Sequence, residues 1–255
     1  MTQADSDITR LCAGGLGTDG SRIRLVLASS SPRRLDILKA HGFEPEVYSP
    51  DVEEYIDPST SLDSLPPLLE ELALAKARSV VERLALGGAA GAVYAAGSAC
   101  AACAACAACA SQQKVIVVAA DTVVYCDGIL GKPENRQKAI ETLQLLAGRT
   151  HTVLTSVGVI ELALSSSEIG EPVSYTAGHT AFAMLETSFT DTALVTFADY
   201  SLADIEHYVS AEPPYDKAGS YAIQGIWGQQ VESLDGDTET VIGLPFRRLA
   251  PLLGL

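Results

Sequence analysis

Apolar residues recur along the chain in two rhythms, short continuous runs and helical steps, and their succession predicts an α/β fold. The first run, IRLVLA at 23–28, reads as a strand that feeds into SSSPRRLDILKAHG. In that segment Ser31 is the expected N-cap and Pro32 suits the first turn. Leu35, Ile37 and Leu38 can face a core, and Gly42 suits the stop. A short strand near Val47 and an acidic loop, SPDVEEYIDP, precede a second helix over roughly 65–86. KVIVVAADTVV is apolar almost throughout, the pattern of a strand buried on both faces. CDGI reads as a hairpin turn and GKPENRQKAIETLQLLAG as another capped helix. Strand-rich segments are expected at 152–163 and 174–197, then a helix capped by Ser201 with Asp204 three residues on. A last helix is expected over 246–253.

Composition narrows the class. Of 255 residues, 47% are hydrophobic and 19% charged, which fits a soluble globular chain of one large or two small domains. Seventeen basic residues against 32 acidic ones leave a net charge of −15, a field that repels nucleic acid and anionic membranes. A small anionic ligand would therefore need a local cluster of cations and a divalent metal. Residues 1–22 read as a polar, flexible lead-in without the apolar core of a signal peptide. The stretch 84–113 carries no charge, yet it is mostly Ala, Gly and Cys and too weakly lipophilic for a membrane span. Reduced thiols and a cytoplasmic location are the expectation.

Three features point to a phosphorylated ligand. ASSSPRR runs a strand through serines into a helix N-terminus with two arginines, where free N–H groups, the helix dipole and guanidinium forks favour an anion. Asp121 in AADTVV ends a very apolar strand, where open α/β sheets place ligands and where a carboxylate needs a partner. GKP at 131–133 and YDKAGSYAIQG at 215–225 each set a lysine in a glycine-containing loop. Taken singly, each has an ordinary alternative: solvated arginines, a capping aspartate, surface lysines.

Taken in order, ASSSPRR, VEE, LAKA, AADTVV, GKP, GRTH, DKAGSYAIQG and GLP resemble the Maf family, the septum-formation-like nucleoside triphosphate pyrophosphatases. The resemblance covers 23–253 apart from an inserted tract at about 87–113, and it implies a single domain over 23–255. It also implies a mixed twisted sheet with flanking helices, in two lobes around an active-site cleft. The implied reaction cuts between the α- and β-phosphates of a nucleoside triphosphate, with a divalent cation, Mg or Mn. In this family pattern Asp121 is the base on water, and Ser29, Ser31, Arg33 and Arg34 hold phosphates. Glu54, or Glu53 beside it, joins Asp121 at the metal, and Lys76, Lys132 and Lys217 complete the cations. PRR, ADT and IQG resemble the members that act on dTTP and UTP, which nominates Thr122 and Gln224 for base or ribose recognition. Ala147 departs from the serine common before GRTH. A homodimer is implied as well; the rival reading is a non-catalytic nucleotide-binding regulator of cell division.

Some conspicuous residues gain no role. His151 in GRTH reads as a strand-edge structural histidine, and His41, His179 and His207 lack metal-ligand spacing. Trp227 reads as core or cleft wall. Cys100, Cys103, Cys106 and Cys109 step three residues apart, so on a helix each thiol rotates about 60° from the last and four do not converge on one metal. The tract reads as a low-complexity loop insertion.

Overall fold

The computed structural model describes residues 22–86, 113–163, 173–177 and 180–254. Residues 1–21 of the lead-in, the cysteine tract and His179 lie outside the described residues, and Arg22, counted with the lead-in, opens β1. In chain order the elements are β1 (Arg22–Ala28), α1 (Pro32–Ala40), β2 (Glu46–Tyr48), α2 (Leu65–Leu86), β3 (Gln113–Tyr125), β4 (Ile129–Leu130) and α3 (Arg136–Leu146). There follow β5 (Thr150–Ala163), β6 (Val173–Ala177), β7 (Thr180–Phe197), α4 (Leu202–Ala211), β8 (Val231–Asp235), α5 (Thr238–Ile242) and α6 (Phe246–Leu249).

One mixed sheet of eight strands organises the chain, in the order β2-β1-β3-β5-β7-β6, with β4 also on β3 and β8 on β7. β2, β1 and β3 are parallel, and the other pairings are antiparallel. The apolar run of β3 supplies both faces, as the sequence predicts. Val115, Val117 and Ala119 meet Leu74, Ala77, Val80, Val81 and Leu84 of α2 on one side. Ile116, Val118 and Ala120 meet Ile37 and Leu38 of α1 and Phe246 and Leu249 of α6 on the other. Farther along that second face, α3 and α4 pack with Trp227 and Tyr221 on Val124, Val153 and Val195.

The strand-rich segment expected over 174–197 is present as β6 and β7, paired antiparallel. Asp121, expected to end its strand, lies inside β3, because pairing with β5 and then β4 carries the strand on to Tyr125. The expected last helix is α6 followed by a 3-10 turn at Ala250–Leu253. Pro251 lacks the N–H that an α-helix would need there, and the chain tightens instead.

Two features of the sheet position the site. β1 pairs with β3 only as far as Leu27 opposite Val118, and β4 takes up pairing at Val124. β5 holds the other side of β3 from Val115 to Tyr125 without interruption. Residues 119–123 therefore have one open side, and Asp121 and Thr122 stand in that gap. The second feature is Gly158 on β5: a Cβ there would lie 2.7 Å from the backbone of Ala73 and Leu74, so α2 packs directly on the strand. The described residue that follows the cysteine tract, Gln113, lies far from the gap. Gln113 pairs with Arg22 at the start of β1, eight residues along the strand from Asp121, which is about 26 Å.

His151 has the structural role expected, although it sits in an interior strand, β5, rather than at a sheet edge. It is buried against Phe197, with Nε2 2.7 Å from the Tyr221 hydroxyl oxygen. Burial pushes its pKa down to about 4. The unfolded chain takes up this proton below about 6.5, whereas the folded chain resists it until about 4. This contribution to stability is complete above pH 6.5 and falls with pH, by about 3 kcal/mol at pH 4. Urea titrations across that window should show His151→Gln with a shallower pH dependence than the parent; parallel curves would rule the effect out.

Candidate active site

The site begins where β1 runs out. The Ser29 hydroxyl oxygen, buried at the end of the strand, accepts from the Ser31 N–H at 3.1 Å and from Arg34 Nη1 at 3.1 Å. Ser31 occupies the N-cap position of α1 but makes no capping bond with its side chain, so its hydroxyl stays available at the cleft. Arg34 also donates through Nε to the Gly243 carbonyl at 2.8 Å and through Nη2 to Thr122 Oγ1 at 3.2 Å. Burial works against the Arg34 charge, and the nearby carboxylates Asp121 and Glu54 work for it.

Across the gap, two alternating chains of charge line the cleft. In the first, the buried Lys76 ammonium lies 2.5 Å from Asp121 Oδ1 and 2.8 Å from Glu54 Oε1, and Lys132 lies 3.5 Å from Glu54 Oε2. Burial disfavours the Glu54 carboxylate, but hydrogen bonds and charge from Lys76 and Lys132 outweigh it and hold the pKa low. In the second chain, Asp216 receives Arg33 at 3.2 Å and Lys217 at 2.6 Å. Here too burial is overcome by the two cations, and Asp216 is held low. The loops are joined: the Gly219 N–H donates to the Gly131 carbonyl, tying DKAGS to GKP.

All eleven residues nominated from the sequence line one cleft of about 530 Å³: Ser29, Ser31, Arg33, Arg34, Glu54, Lys76, Asp121, Thr122, Lys132, Lys217 and Gln224. That volume suits a small ligand. Of the two adjacent glutamates, Glu54 lines the cleft and exposed Glu53 does not. The cleft wall also includes Tyr221, in keeping with tyrosines as core or cleft wall, and Ile56, Leu72 and Val241, which the sequence reading passed over along with Asp216. Asp216 was legible, since it stands beside Lys217, but attention to cations hid it. Trp227 belongs to the core, as expected, and His41 stacks on Phe246 while meeting Glu239 at 2.7 Å.

The donor set bears on a metal. Among the described residues no group of three or more His, Cys, Asp and Glu converges. The two carboxylates that share Lys76, Glu54 and Asp121, nevertheless fit a magnesium-type ion, which takes one or two carboxylates and completes its shell with water and phosphate.

The site is thus an open side of β3 at 119–123 in an α/β sheet, with paired cations and carboxylates around it. A profile of the Maf-like proteins matches residues 24–254, and the chain belongs to the Maf family. Relatives carry the name dTTP/UTP pyrophosphatase. That of Caldicellulosiruptor bescii is 32% identical over 231 residues, covering 90% of this chain and 93% of its own. That of Dictyoglomus thermophilum is 33% identical over 230 residues, 90% and 94%. That of Bacillus anthracis is 33% identical over 227 residues, 89% and 92%. Among the described residues no helix is long and apolar enough to cross a membrane.

Proposed function

We propose that this chain is a nucleoside triphosphate pyrophosphatase acting on dTTP and UTP, releasing the monophosphate and pyrophosphate. Its relatives' names support the activity, and the observation that carries it here is the placement of Asp121. This carboxylate stands in the gap of the sheet, held by Lys76 and ringed by four further cations at the cleft: Arg33, Arg34, Lys132 and Lys217. In the proposed reaction Asp121 accepts the proton of a water attacking phosphorus, and the P–O bond to the leaving pyrophosphate breaks. Arg33, Lys132 and Lys217 neutralise the charge that moves onto the leaving group. Asp216 and Glu54 keep those cations in place until the polyanion arrives.

A divalent cation, Mg or Mn, belongs to this proposal, with Glu54 and Asp121 as its protein ligands. When bound it would screen the triphosphate charge and polarise the attacked phosphoryl group. Thr122 and Gln224 are proposed to meet the base or ribose, Gln224 through an amide that offers both donor and acceptor. A single domain over 23–255, a cytoplasmic location and a homodimer are part of the same reading; sedimentation of the full chain tests the dimer.

The deciding measurement is pyrophosphate release from dTTP and UTP, with Mg²⁺ or Mn²⁺ supplied and then withdrawn. Release that requires the metal and exceeds that from the purine triphosphates supports the proposal. Tight nucleotide binding without release would favour a regulator that senses nucleotides.

A further inference from the structure

The Arg34–Thr122 pair does not stand alone. Behind Thr122, on the same face of the sheet, Thr155 of β5 is fully buried, with its Oγ1 2.9 Å from Thr122 Oγ1. Thr155 Oγ1 lies 2.7 Å from the carbonyl oxygen of Thr240 in α5 and donates to it. That carbonyl depends on the bond, because the Leu244 N–H passes it by and donates to Glu239. Thr240 in turn donates its own hydroxyl to Asp191, which also receives Arg248.

Counting protons fixes the direction of the chain. A threonine hydroxyl has one proton, and that of Thr155 goes to the Thr240 carbonyl. Thr122 must therefore donate to Thr155, which leaves its lone pairs to receive Arg34. The sequence runs from Arg34 N–H to Thr122, from Thr122 O–H to Thr155, and from Thr155 O–H to a helix carbonyl. Arg34 is gripped at its other end by Gly243, the residue that caps the same helix α5. Thr155 thus stabilises both contacts that aim the Arg34 guanidinium: Thr122 directly, and Gly243 through α5.

We propose that Thr155 is a positioning residue for the substrate-binding pair Arg34 and Thr122, a role that rests on the cleft being the nucleotide site. It touches no substrate. One consequence concerns recognition: with its proton committed inward, Thr122 offers a bound nucleotide an acceptor and no donor.

The test compares Thr155→Val, which keeps shape and removes the hydroxyl, with Thr155→Ser, which keeps it. Thr155→Val should lower kcat/KM for dTTP about tenfold, mostly through KM, as expected for misaimed binding groups. Affinity for the uncleavable α,β-imido analogue of dTTP, measured by calorimetry, should fall by a similar factor. Thr155→Ser should restore both to within about twofold. In a Thr122→Val background, Thr155→Val should have a smaller effect, because only the route through α5 to Gly243 is left to lose. Parental kcat/KM and affinity in folded Thr155→Val would overturn the proposal, as would an equal effect in both backgrounds. Should Thr155→Val fail to fold, Thr240→Val releases α5 from Asp191 and must also weaken the analogue; unchanged affinity there overturns the proposal too. A parent that binds the analogue and never releases pyrophosphate would defeat the catalytic reading alone, with the affinity comparison still deciding Thr155.

Discussion

Asp121→Asn should cut pyrophosphate release by about 1,000-fold while leaving nucleotide affinity within a few-fold of the parent. The asparagine keeps the volume of the side chain, and its amide oxygen can still accept the Lys76 ammonium now 2.5 Å away. What disappears is a basic oxygen able to take a proton from water. Lys76 also keeps its second partner, Glu54, so the cleft retains most of its electrostatic frame. The measurement is single-turnover release from dTTP beside calorimetric binding of the imido analogue. Parental turnover in this variant would remove Asp121 from the role of base.

The second large effect is expected at a residue that never meets a ligand. Gly158→Ala sets a methyl group 2.7 Å from the backbone atoms of Ala73 and Leu74, a clash that no side-chain rotation relieves. Helix α2 must move away from β5, and the loss of stability should be about 3 kcal/mol. Lys76 lies less than one turn beyond Ala73, so the shift reaches the bond to Asp121. Urea denaturation and kcat should therefore fall together. A variant that is destabilised and yet fully active would show that Lys76 tolerates displacement of its helix. Full stability would show that α2 does not rest on Gly158 in solution.

Much of this architecture was legible because the chain states it locally. Helix α1 carries its own punctuation, Ser31 and Pro32 at its start and Gly42 just past its end, and leucine and alanine spacing gives α2 its observed bounds. The cleft residues were legible for a different reason. Eight short motifs in a fixed order resemble a family, and every residue carried over from them lines one cavity. What stayed hidden depends on strand register and helix approach, which no local pattern encodes. Gly158 looks like any glycine in a strand until α2 is laid across it. Thr155 looks like a strand former until β3 places Thr122 opposite it and α5 brings a carbonyl over it. Asp216 is legible beside Lys217 as the carboxylate that balances a loop lysine. The turn at 250–253 needed attention to a proline already in view.

The start of β3 has a practical side. Leu86 ends α2 ten residues past Lys76 and Gln113 opens β3 eight residues before Asp121, so two neighbours in the chemistry stand far apart in sequence. Chain length between them is decoupled from the geometry that unites them, since that geometry is set by α2 lying on β5. A fluorescent reporter or an affinity module fused just ahead of Gln113 would join the described fold about 26 Å along β3 from Asp121.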